Sequence, residues 1–251
     1  MTIDHPALHH IPALRDLWKK AFGDTDSFLD DFFSVAFSPA RCRCVFIEDR
    51  LAAVLYWFNC NWEGKRLAYL YAVATDEAFR GKGLCRTLME NTHAHLQSLG
   101  YEGCILVPGS KELFGMYEKM GYTTCSYIRE FECAAGDPIL LRQLDAPQYA
   151  ALRRQYLPAG GVVQAEETLT LLQTQAAFYA GDNCLLVCSS ENGKLTVSEL
   201  LGDASAAPGI LAALNCPEGS FRTPGKEKPF AMYHPLIDDP TAPSYFGLAM
   251  D

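Results

Sequence analysis

The chain has 251 residues, 49% hydrophobic and 20% charged, with a net charge of −9. That length suits one large domain or two modest ones, each able to bury a core. The acidic balance and the lack of a basic stripe argue against nucleic acid as the partner. No run of about 18 apolar residues marks a membrane-spanning helix, so no membrane partner is expected. The first residues lack a basic stretch followed by an apolar one. No secretory leader is therefore expected, and the expected compartment is cytoplasmic. A negative protein attracts cationic amines through its field.

Residues 7–22 place Leu8, Leu14, Leu17, Trp18 and Phe22 at helical spacing, and Gly23 reads as the stop. Asp26 or Ser27 is suited to cap a second helix carrying Phe28, Leu29, Phe32, Phe33 and Ala36, which Pro39 ends. Two strand-like runs, 42–48 and 51–60, have only Asp49 and Arg50 between them, the pattern of a tight hairpin. A turn at 63–65 leads to a third strand, 66–75. From Gly81 to Leu99 the apolar period becomes helical. A buried strand (104–108), a short helix (111–120) and a strand (122–132) follow. Residues 133–138 read as a linker. Beyond it the expected order is strand, helix (with Asp145 as cap), helix (165–180), strands at 184–190 and 195–201, a short helix (206–214), and strand-like runs at 229–236 and 244–250. This echoes the first half, as an internal duplication would.

The ten cysteines mostly sit inside apolar runs and form no paired CxxC elements, so they read as reduced core thiols and no metal site is expected. His5, His9 and His10 lack a ligand pattern and read as a solvated helix start.

The stretch 71–89 carries the chemistry. It runs from a strand through a Gly-rich turn into a helix, with Arg80, Gly81, Lys82, Gly83 and Leu84 at the junction. Glycines allow a tight bend and keep side chains out of the way. The first amides of the helix lack partners inside it, and its dipole adds positive charge. Together these suit a pyrophosphate, with Arg80 and Lys82 adding charge. A plain strand–turn–helix connection has the same glycines, so Gly-x-Gly alone decides nothing.

The stretch resembles motif A of the GNAT acetyltransferases, whose signature is Arg/Gln-x-x-Gly-x-Gly/Ala. Arg80, Gly83 and Cys85 hold the signature positions, Cys85 replacing the usual Gly or Ala. The resemblance implies that backbone groups of Val73 and Ala74 pair with the pantetheine of acetyl-CoA, and that residues 80–85 hold its pyrophosphate. Downstream, residues 113–122 resemble the family's Tyr-Glu-Lys-x-Gly-Phe/Tyr segment. There the tyrosine matching Tyr117 points at the acetyl-CoA sulfur and protonates the leaving thiolate.

The implied fold is a mixed-sheet α/β (α+β) GNAT domain over residues 1–132, with a smaller, degenerate GNAT-like α/β unit over 138–251. The first strand of that plan is poorly supported, since only Thr2 and Ile3 precede His5 and Pro6. The terminal hairpin of the first half lacks its last strand before the linker. A strand from the second half is the expected substitute, which would make one shared sheet. The second half has no phosphate signature at 195–214, so it is expected to shape the acceptor cleft or a homodimer surface. In some larger members of the family the C-terminal carboxylate serves as base, which points to Asp251. Glu63, in a turn, and Glu112, at a helix start where it suits the dipole, are the other candidates for a base, and Tyr69 and Tyr71 share a face that lines the acceptor side or the core. Trp62 is the first choice among the aromatics for a pocket wall.

The implied activity is transfer of an acetyl group from acetyl-CoA to a small-molecule or peptide amine by direct attack in a ternary complex. A non-catalytic acetyl-CoA sensor or interaction module is the alternative, and use of a longer acyl-CoA is a third reading.

Overall fold

The 13-residue apolar strand β3 (Arg50–Trp62) organises the first half, because it is buried on both faces. Val54, Tyr56 and Phe58 enter one core cluster; Ala53, Leu55 and Trp57 enter another. Alternation along a strand makes this division. The computed structural model describes residues 1–239 and 241–250.

The first half comprises β1 (Thr2–Asp4), α1 (Ile11–Phe22), α2 (Asp26–Asp31), β2 (Cys42–Ile47), β3, β4 (Lys65–Thr75), α3 (Leu84–Ser98), β5 (Gly103–Leu106), α4 (Lys111–Glu118) and β6 (Thr123–Ala134). Leu14, Leu17 and Trp18 of α1 fill the first cluster. Gly23, with φ of 77°, closes that helix, its amide donating to Lys19 O at 2.9 Å. Leu84, Leu88, Met89 and Leu96 of α3 fill the second cluster. Glu48 and Asp49 turn the β2–β3 hairpin with φ of 49° and 60°, the handedness that matches strand twist.

The second half comprises β7 (Arg142–Leu144), α5 (Ala146–Tyr156), β8 (Val163–Gln164), α6 (Glu166–Gln175), β9 (Ala177–Ala180), β10 (Cys184–Glu191), β11 (Lys194–Gly202), α7 (Ala207–Ala213), β12 (Glu218–Pro224) and β13 (Lys228–Pro235). One mixed sheet of 13 strands runs through both halves in the order β1-β2-β3-β4-β5-β13-β6-β12-β11-β10-β9-β7, with β8 beside β3. The shared strand is β13. It pairs antiparallel with β5 (Met232 opposite Leu106) and with β6 (Lys228 opposite Ile128). Each half also holds a parallel strand pair bridged by a helix: β4–β5 around α3, and β11–β12 around α7.

Several sequence expectations need correction. The first strand exists, as Thr2–Asp4 pairs with Cys44–Phe46. Thr25 rather than Asp26 or Ser27 caps α2, its Oγ1 accepting from Phe28 N at 3.2 Å. The helix expected over 165–180 stops at Gln175, and Ala177–Ala180 is a strand. β12 was absent from the expected order. Residues 244–250 join no ladder; they form a buried irregular segment with one isolated bridge, Gly161 to Tyr245. His5 is not a solvated helix start: its Nδ1 bonds Pro39 O and Cys42 O at 2.9 Å, and its ring packs on His95. Seven of the ten cysteines are buried and three partly buried.

Candidate active site

β4 makes the opening. It pairs in parallel with β5 only over Leu67–Tyr69 and Gly103–Ile105. Further along, Ala72 and Val73 together face the single residue Leu55, because the register with β3 shifts between Val54 and Tyr56. This bulge holds Ala72 at φ of 48°. A left-handed alanine costs about 1–2 kcal/mol, so the neighbouring structure must impose it. A bulge bends its strand and re-aims the backbone. β4 thus follows β3 away from β5, whose chain turns off at Val107, Pro108 and Gly109. A wedge is left between them.

A cleft of about 1150 Å³ occupies this wedge and extends past it. Tyr71, Ala72 and Val73 border it from β4, Leu106 to Ser110 from beyond β5, and Leu113, Phe114 and Tyr117 from α4. Tyr117 is 6% exposed, and among the described residues its hydroxyl has no hydrogen-bond partner. Burial pushes its pKa well up, and the Cys85 thiol adds to this, so the hydroxyl keeps its proton at neutral pH. The cleft continues along Trp18, Phe22, Asp24 and Phe28, α6 (Leu171, Leu172), β13 (Phe230) and the segment ending at Ala249 and Met250.

The turn between β4 and α3 lies outside this lining. Asp76 Oδ1 accepts from Ala78 N at 3.0 Å and starts a single 3₁₀ turn, Glu77–Phe79. Gly81 and Gly83 follow at φ of 74° and 76°, and a Cβ on either would meet nothing within 4 Å. No side chain caps α3. Its backbone ladder begins with Thr87 N donating to Gly83 O at 3.1 Å, which leaves the amides of Leu84, Cys85 and Arg86 outside it. Arg80 and Lys82 fold back onto the turn: Arg80 Nε donates to Thr75 O, and Lys82 Nζ to Ala78 O, both at 3.2 Å. The Leu84 side chain is a core anchor, and Cys85 packs against the cluster that contains Tyr117. Ala74 is buried opposite Val54, whereas Val73 borders the cleft.

The corresponding helix start of the second half is covered. A Cβ on Gly209, in the first turn of α7, would lie 2.6 Å from Ile139 and 2.9 Å from Asp137 O, so the chain around residues 137–139 packs against it, whereas Gly83 faces open space.

The acceptor-side candidates divide. Tyr69 and Tyr71 border the cleft. Trp62 does not; it is 4% exposed in the core, with Lys65 Nζ 4.6 Å above its ring. Glu63 sits in the exposed β3–β4 turn, away from the lining. Bonding to Ser110 and to its own backbone holds the Glu112 carboxyl below the usual range, the wrong direction for a base near neutral pH. Asp251 lies outside the described residues. Sequence reasoning missed Asp24, Glu130, Arg222 and Lys228, all of which border the cleft. They stand in a turn and on strands without any motif.

The segment before Asp251 is held residue by residue. Ser244 N donates to Gly160 O at 3.0 Å. The Tyr245 hydroxyl donates to Glu199 Oε1 at 3.0 Å. Phe246 N donates to Ser126 Oγ at 2.9 Å, and Gln164 Nε2 donates to Leu248 O at 2.8 Å. A buried cluster backs this up. Glu199 Oε2 accepts from Arg153 Nε at 2.7 Å and from the Tyr149 hydroxyl at 2.8 Å; Oε1 accepts from Arg153 Nη2 at 2.8 Å.

Residues 2–125, just under half of the chain, match the acetyltransferase (GNAT) domain family. Among curated proteins, none matches the chain by sequence. Solved structures share the fold across both halves. A GCN5-related N-acetyltransferase from Kribbella flavida superposes with a TM-score of 0.69 at 17% identity, over 94% of this chain and 72% of that one. One from Anabaena variabilis gives 0.73 at 13%, over 94% and 73%. One from Sphaerobacter thermophilus gives 0.56 at 12%, over 97% and 98%.

Proposed function

We propose that the chain is an N-acetyltransferase that moves the acetyl group of acetyl-CoA to an amine by direct attack in a ternary complex. The observation that carries this reading is the wedge between β4 and β5, opened by the Ala72 bulge and bordered by the unpartnered Tyr117 hydroxyl. The free amides at the start of α3, behind Gly81 and Gly83, are suited to the pyrophosphate of the donor. Arg80 and Lys82 flank that turn and add positive charge. Backbone groups of Val73, which borders the cleft, and of its neighbour Ala74 are suited to pair with an extended pantetheine arm added like a strand. Leu84 and Cys85 contribute amides rather than side chains.

In the transfer, the neutral amine nitrogen bonds to the acetyl carbon, and the carbon–sulfur bond breaks. The sulfur leaves with its electron pair and takes the proton of the Tyr117 hydroxyl, which solvent replaces. The surplus proton of the amine leaves to water. A lysine-like amine lies about 3.4 units below its pKa at pH 7, so neutralising it costs about 4.6 kcal/mol. Glu130 is unsuited to help: its bond to Lys228 and the nearby Arg222 hold its carboxyl down. A water route to bulk solvent meets the need.

Isothermal titration with acetyl-CoA tests this reading. Wild type should bind in the micromolar range, and Gly83→Glu should not, since a carboxylate then faces the phosphates. A folded wild type that fails to bind acetyl-CoA would refute the proposal.

A further inference from the structure

Beyond Tyr117, the distribution of charge and rings identifies the kind of amine the cleft accepts. Among the described residues four carboxylates border it: Asp24, Glu118, Glu130 and Glu227. Glu130 is bound to Lys228 Nζ at 2.6 Å and lies 3.6 Å from Arg222 Nε. Glu227 pairs with Arg129 at 3.8 Å. Glu118 is exposed on the last turn of α4. Asp24 differs from all three. Its Oδ2 accepts from Trp18 Nε1 at 2.7 Å, which fixes the carboxylate, while Oδ1 has no partner among the described residues.

The surroundings of Asp24 are aromatic. The Trp18 ring centroid lies 5.6 Å from Tyr71, 5.8 Å from Phe22 and 6.0 Å from Phe28. These four rings border the same cleft as Tyr117. Rings of this kind bury a flat apolar body and attract an ammonium to their faces. A polyamine would need several unpaired carboxylates, and among the described residues the aromatic part of the cleft offers one.

We infer that the acceptor is a primary amine with a single positive charge on a flat apolar body, held by Asp24 and walled by Trp18, Phe28 and Tyr71. This assignment rests on the acetyltransferase reading above. Asp24 binds the ammonium form, which dominates near neutral pH, and the neutral form reacts. The nitrogen regains positive charge as it bonds the acetyl carbon, so Asp24 contributes binding that the ground state and the transition state share.

The test uses the full chain with saturating acetyl-CoA and a thiol-release assay, with tryptamine and spermidine as probes. Tryptamine should be the better acceptor by about tenfold or more in kcat/KM, the worth of one added contact at this scale. Asp24→Asn should raise KM for tryptamine about 10- to 100-fold, the range of one hydrogen bond to a charged group, with kcat nearly unchanged. Asparagine still accepts from Trp18 Nε1, so the fold is kept, and acetyl-CoA affinity by calorimetry should not move. Phe28→Ala should lower kcat/KM for tryptamine and leave spermidine unaffected. Equal or better turnover of spermidine, an unchanged KM in Asp24→Asn, or consumption of neither amine by a protein that binds acetyl-CoA would each overturn the assignment. Failure of the wild type to bind acetyl-CoA would instead overturn the acetyltransferase reading on which it rests.

Discussion

Replacing Glu199 by alanine should destabilise the protein by about 3–5 kcal/mol, a large share of the roughly 5–15 kcal/mol that holds a typical fold together. Glu199 is fully buried and Arg153 is 3% exposed. Four hydrogen bonds end on the carboxylate: two from Arg153, one from Tyr149 and one from Tyr245. In the variant, Arg153 keeps its charge and only the bond to Val162 O, at 3.1 Å, while two buried phenols lose their acceptor. For 251 residues the unfolding entropy is about 0.5 kcal/mol/K, so the melting temperature should fall by about 6–10 °C. Urea unfolding should show a lower midpoint with an unchanged slope. The double variant Arg153→Met with Glu199→Leu should recover roughly half of the loss or more, because no lone charge then remains buried. A loss below about 1 kcal/mol in Glu199→Ala would refute the reasoning, since a buried, uncompensated guanidinium cannot cost so little.

Tyr117→Phe should lower kcat by about 10²–10⁴, the usual worth of a general acid, with acetyl-CoA affinity unchanged in calorimetry. Equal turnover would remove Tyr117 from the mechanism. His93 tests a different part of the molecule. Burial, aided by the His234 ring stacked on it at 4.4 Å, pushes His93 down to about 4. Its folded value lies below the unfolded one near 6.5, so the unfolded state binds more protons between them. The associated stability is fully present above about pH 6.5 and is lost as the pH falls through 4, up to roughly 3 kcal/mol. His93→Gln should therefore lose less stability than wild type between pH 7 and 4.5 in urea titrations. Parallel losses in the two proteins would show that His93 is not responsible.

The turn between β4 and α3 was legible because it depends on residues whose conformational needs show in sequence. Gly81 and Gly83 are needed at positive φ, and Leu84, Leu88 and Leu96 mark one face of α3. Ala72 was not legible: an alanine held left-handed by its neighbours looks like any strand residue. β12 escaped because only Gly219, Phe221 and Thr223 turn inward, between polar residues and near proline. β9 was absorbed into a helix because Ala176–Ala180 continues the apolar pattern of α6. The 244–250 run has the composition of a strand, yet Ser126, Gln164 and Glu199 from distant elements satisfy its polar groups instead of a ladder. Asp24 was hidden for the same reason, since its orientation comes from the Trp18 indole rather than from any spacing.

The placement of β13 has a consequence during synthesis. Its Met232 pairs with Leu106, so 126 residues separate partners in adjacent strands. At about 5–20 residues per second, a ribosome needs roughly 6–25 s to deliver β13 after β5 has emerged. Throughout that interval β5 and β6 each lack the strand that lies between them in the finished sheet. Unpaired strand edges of this kind recruit other chains. The nascent protein thus carries an open seam through its first half until its 228–235 segment arrives, and that window is when a chaperone has most to protect.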